Sequence, residues 1–300
     1  MDEPIVVGLR LIQYVGVALM LGVPALLAGA GSPSARWARP LVAAAALATA
    51  LAAAAALVAQ TAVMAGSWSE ALKPASLSMV AAHTGLGLSM VVRSAVALLA
   101  LGLVVILPPG RASWTALTAA GAVAAASFAW SGHAGSAEGA GATLHLGADV
   151  VHAVAAAFWL GALAALSLTC LRRDGAQDPA VHRAFRAFSG PGTIAVVALT
   201  VTGLINAGFL VGPERVGDLM TTGYGRLLVL KVALFAAMLA LAASNRWRLT
   251  PALGAAQAAG ADAGPAFRRL GTSVAAEAAV GLALLAVVAL LGVQPPPGRM

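Results

Sequence analysis

The sequence predicts an all-α, polytopic integral membrane protein with eight transmembrane helices in a single domain spanning residues 1–300. Three observations lead there. First, 60% of the 300 residues are hydrophobic and only 10% are charged, against about 25% in an average soluble domain. The 18 Lys and Arg and 11 Asp and Glu residues cannot supply a charged shell for a soluble chain of this length. Second, the apolar residues fall into eight runs of about 20 residues or more, enough to cross about 30 Å of hydrocarbon. Third, these runs lack the two-residue alternation of barrel strands. An ordinary soluble enzyme, a disordered chain and a disulfide scaffold are therefore excluded.

The runs cover 6–28, 41–64, 85–107, 112–132, 146–170, 189–211, 226–245 and 272–293. The first follows acidic Asp2 and Glu3 rather than the basic start of a signal peptide, and so reads as a retained helix. Gly31-Ser32-Pro33, Pro108-Pro109-Gly110, Gly190-Pro191-Gly192 and Gly212-Pro213 are the expected breaks between spans. The stretch 252–266, rich in Ala and Gly, reads as a flexible cytoplasmic loop. A lone cysteine, Cys170, allows neither an internal disulfide nor a CxxC redox or zinc motif.

Charge placement orients the chain. The connections after spans 1, 3, 5 and 7 hold most of the arginines, from Arg36 and Arg39 to Arg268 and Arg269. The connections after spans 2, 4 and 6 hold only Lys73 and Arg215, with Arg226 at the mouth of span 7. Positive residues stay inside, so both termini are expected in the periplasm. The formal net charge of +7 is scattered through short loops, which argues against nucleic-acid binding. His83, His133 and His145 then lie at the outer surface, and His182 lies in the cytoplasm.

The two halves, about 1–138 and 139–300, match at an offset of about 139 residues. Gln13, Ala18, Leu21 and Gly22 of span 1 align with His152, Ala157, Leu160 and Gly161 of span 5. Thr84, Gly85, Gly87 and Arg93 align with Thr222, Gly223, Gly225 and Lys231. A shift of four spans preserves orientation, so the expectation is two parallel four-helix repeats.

Polar residues in spans usually face the bundle interior. His145, Asp149, His152 and Trp159 fall within a sector of roughly 80° on span 5, a stripe descending from the outer surface. His145 and His152 are about 10 Å apart along the axis, so one small ion needs help from another element to bridge them. His145 could share a metal with His133 and His83, and His152 with Asp149 could form a deeper site. Met79, four residues before His83, adds a soft thioether, and thioether and imidazole both suit copper. Arg93 and Lys231 sit at equivalent depths, either in an ion pair with Asp149 or as counter-charges for an anion or gates on a cation path. Glu277, near the inner end of span 8, could mark an exit or pair with Arg246. The chain lacks a P-loop, CxxCH, HExxH and GxSxG.

Four stretches carry a family likeness: Ser131-Gly132-His133-Ala134; Asp149-x-x-His152-x6-Trp159-Leu160-Gly161; Tyr224-Gly225-Arg226-x-Leu228-x-x-Lys231; and Asn245-Arg246-x-x-Leu249-x-Pro251. In that order on eight spans they resemble the copper resistance protein D family of bacterial inner-membrane proteins. The resemblance implies copper uptake or tolerance, with copper as Cu(I) or Cu(II), and a small periplasmic copper carrier of the CopC type as partner beside the lipid bilayer. Family members often have a histidine in the first span, where this chain has Gln13. The expected function is copper import across the inner membrane without catalysis. The alternative is a haem b-binding membrane oxidoreductase, with axial imidazoles and Arg93 or Lys231 at the propionates.

Overall fold

A computed structural model describes residues 3–31, 37–132, 135, 139, 141–172 and 179–294. Eleven α-helices lie among them: α1 (Glu3–Ala30), α2 (Ala38–Ala65), α3 (Trp68–Ala71), α4 (Pro74–His83), α5 (Gly85–Ile106), α6 (Arg111–Ala126), α7 (Ala142–Arg172), α8 (Pro179–Leu210), α9 (Gly223–Ser244), α10 (Thr250–Ala258) and α11 (Gly264–Leu291). The described residues include no strand. Eight segments are long and apolar enough to cross a bilayer, and each overlaps one of the eight runs.

Helix ends follow local chemistry. Thr84 and Thr222 cap α5 and α9 in the same way, each hydroxyl accepting from the amide three residues on, Gly87 at 2.9 Å and Gly225 at 3.0 Å. The fourth span ends as a 3₁₀ turn over Ser127–Ser131.

Two expectations are corrected. α8 runs unbroken through Gly190-Pro191-Gly192. Pro191 removes only one backbone bond, and the residues on either side keep their helical partners. The stretch 252–266 is largely helical, with α10 joined to α9 through a π turn over Asn245–Leu249 and α11 starting at Gly264.

α1 and α7 form the central pair. α1 also packs on α2 and α6, and α7 on α8 and α11. The α1–α7 crossing is made at Gly22 and Gly161, where a Cβ on either would overlap backbone of the other helix. Small residues let membrane helices approach this closely. α9 leans on α11 and makes little contact with α7 or α8, which leaves a cleft between α8 and α9 with α7 as its floor.

Candidate functional site

The stripe on α7 faces α8, which answers His145, Asp149 and His152 one by one. The His145 ring stacks on Phe209, with centroids 4.7 Å apart and planes 8° from parallel. Asp149 Oδ1 accepts from Asn206 Nδ2 at 3.1 Å. His152 Nδ1 lies 2.9 Å from Thr202 Oγ1. The α8 partners recur every three or four residues, so two antiparallel helices present one face each. Further along α7, Trp159 meets Phe235 of α9 edge-on, with centroids 6.0 Å apart.

The Thr202 contact fixes the His152 tautomer. The single Thr202 hydroxyl proton goes to the Ala198 carbonyl at 2.6 Å, so Oγ1 accepts from His152 Nδ1–H. The lone pair is then on Nε2. A hydrogen bond at one ring nitrogen that leaves the other to ligate is usual at metal-binding histidines. Lys231 of α9 is within electrostatic reach of Asp149 and His152 from across the cleft. Asp149 Oδ2 faces the segment after the fourth span, 3.4 Å from where a Cβ on Gly132 would lie. That segment leads to His133, which lies outside the described residues.

His83 and Met79 are one turn apart on α4 and both exposed. Among the described residues, no group of three or more His, Cys, Asp or Glu side chains gathers at metal-binding range. His182 is joined to Gln257 at 2.8 Å, near the opposite end of the bundle.

Arg93 is not paired with Asp149. It is 1% exposed, and donates to Gln13 Oε1 at 2.6 Å, Ser127 Oγ at 3.0 Å and Ser131 Oγ at 3.1 Å. Its guanidinium also lies 3.8 Å from the centre of the Phe128 ring. Gln13 in turn donates to the carbonyls of Leu9 and Ala52. The planar fork reaches three acceptors in three directions, which a single ammonium cannot do. Arg93→Lys is therefore expected to destabilise the protein by about 1–3 kcal/mol; thermal unfolding in detergent measures this, and an unchanged midpoint would contradict it.

Glu277 does not pair with Arg246, which donates to Ser189 O at 3.1 Å, Ser189 Oγ at 3.3 Å and Thr193 Oγ1 at 2.7 Å. Its partner is Asn245, whose Nδ2 donates to Glu277 Oε2 at 2.9 Å. Sequence reasoning missed Thr202, Asn206 and Phe209, and singled out Asn245 within a family stretch without assigning it the bond to Glu277. The first three had a readable signal, two polar residues and an aromatic at helical spacing on an apolar span.

Fold and site together define a helical membrane protein with eight candidate spans and a row of polar side chains between α7 and α8. The family described as copper resistance protein D-like, N-terminal domain, matches residues 1–144, and copper resistance protein D matches residues 182–291. The chain is 31% identical to copper resistance protein D of Pseudomonas syringae pv. tomato over 99% of this chain and 98% of that one. It is 33% identical to the inner membrane protein YebZ of Escherichia coli over 40% of each chain. It is 29% identical to the copper transport protein CutJ of Bacillus subtilis over 77% of this chain and 41% of that one. No solved structure matches. The chain belongs to the copper resistance protein D family and is a multi-pass protein of the inner membrane.

Proposed function

We propose that this protein takes copper from the periplasm and moves it into the membrane along the α7 floor of the cleft. Copper enters at His133 and His145, with His83 and Met79 beside the entrance, and passes to Asp149 and His152. The observation that carries this reading is the ladder between α7 and α8. It orients one ligand after another down a single cleft and leaves the Nε2 lone pair of His152 available. Imidazole suits copper in either valence. Family membership supports copper as the cargo and lends nothing to the haem b alternative. A carrier of the CopC type delivers copper to the outer face, and the protein acts as a conduit rather than a catalyst.

Both termini lie in the periplasm in this reading, as the arginine distribution requires. A topology reporter fused near Glu138 is expected to be active only outside the cytoplasm. Cytoplasmic activity there would put His83 and His145 at the wrong face and end the uptake reading. The parallel-repeat reading is supported by the matching Thr84 and Thr222 caps and by Gly22 meeting Gly161, its equivalent at the same offset. The first half holds Arg93 and Gln13 where the second holds Lys231 and His152, so the deeper step of the path, at Asp149 and His152, belongs to the second half.

Thr202 is a positioning residue in this account. Thr202→Val keeps shape but removes the acceptor that holds Nδ1–H, so the copper affinity of the purified protein is expected to fall about 10–100-fold. Competition against a copper chelator measures it. Thr200→Val, on the exposed face of α8, is expected to change nothing. Equal affinity in wild type and Thr202→Val would mean that this hydrogen bond does not prepare a ligand.

A further inference from the structure

Away from His145 and His152, a cavity of about 800 Å³ is bordered by α7, α8, α9, α10 and α11, with His182 in its lining. Its walls are mostly apolar, with Trp159, Leu163, Phe185, Leu239, Leu270 and Val274 among them. Glu277 and Asn245 also line it, although they are only 2% and 8% exposed. Their one mutual hydrogen bond leaves Glu277 Oε1 and Asn245 Oδ1 buried without a donor. Arg246 is the adjacent cation in the sequence, and its bonds to Ser189 and Thr193 turn it toward α8. Asn245 opens the π turn, a rare geometry that recurs at functional sites.

A buried carboxylate with one amide partner is costly unless a cation joins it. Two buried acceptors without a donor, on side chains already bonded to each other, are a donor set that a cation would complete. We propose that Glu277 and Asn245 form a binding site for a hard monovalent cation of the Na⁺ class, separate from the copper path. One carboxylate balances one positive charge, whereas a divalent ion would leave a net charge in the low-dielectric interior. The donors are carboxylate and amide oxygens, the ligands of hard cations; no thiolate, thioether or imidazole belongs to the pair. The cavity has room for the water molecules that complete the ion's shell.

The experiment uses the full-length protein, purified in detergent and free of copper, so its outcome is independent of the copper reading. Radiolabelled sodium binding and thermal unfolding are measured in sodium chloride and in choline chloride at equal ionic strength. Wild type is expected to bind one Na⁺ per chain and to unfold at a higher temperature in sodium. Glu277→Gln and Asn245→Leu are each expected to weaken binding about tenfold or more, equivalent to about 1.4 kcal/mol, and to abolish the sodium-dependent shift. Glu70→Gln, on an exposed surface, is expected to leave both intact. The wild-type comparison of sodium with choline stands even if a variant fails to fold. Wild type unfolding alike in both salts with no sodium bound would overturn the proposal. So would an infrared carboxylic-acid band that vanishes in Glu277→Gln and is unmoved by sodium, which would show a proton in the cation's place.

Discussion

Cells expressing His152→Ala are expected to lose copper accumulation, by at least about tenfold and down to the level of cells without the protein. The variant should still insert and accumulate, because the ring makes one hydrogen bond in a cleft rather than filling the tightly packed core. His152→Gln discriminates ligation from packing. An amide can keep the bond to Thr202, but it is a poor copper ligand. The chain itself shows what glutamine does at the equivalent position of the first half. Gln13 is buried, donates to two backbone carbonyls and accepts from Arg93, a purely structural network. His152→Gln is therefore expected to match wild type in abundance and His152→Ala in copper accumulation. Normal accumulation with Gln at 152 would remove this residue from the path.

The largest expected effect on stability is at the α1–α7 crossing. A side chain at Gly161 would be driven into the Ala18 carbonyl and the Gly22 backbone, neither of which can rotate away. Overpacking typically costs about 1–3 kcal/mol where side chains can shift, and backbone against backbone exceeds that range. Gly161→Leu is expected to prevent accumulation in the membrane, and Gly22→Leu likewise. Gly147 on the same helix has open space around its would-be Cβ, so Gly147→Leu should accumulate normally. Quantifying the three variants in isolated membranes tests this. Wild-type levels of Gly161→Leu would mean the central pair is not packed as described.

The eight spans were legible because hydropathy over about 20 residues is a bilayer requirement and needs no tertiary knowledge. The α7 stripe was legible for a similar reason, since helical geometry alone places His145, Asp149, His152 and Trp159 on one face. Gly190-Pro191-Gly192 was misread because Gly and Pro usually punctuate elements, whereas here Pro191 costs a long helix only one bond. The partners on α8 were not assigned because Thr and Asn in an apolar span are common, and only the facing helix gives Thr202 and Asn206 their role. Arg93 illustrates the same limit. Its burial was readable, but its choice of Gln13, Ser127 and Ser131 over Asp149 depends on which helices α5 touches, and α5 packs with α2 and α6 rather than with α7.

In the proposed path His152 ligates copper through Nε2. X-ray absorption at the copper edge, on purified protein loaded with copper, tests it most directly. Imidazole scattering is expected in wild type and is expected to decrease by one histidine in His152→Gln at equal protein and copper concentration. A spectrum identical in wild type and His152→Gln would contradict it.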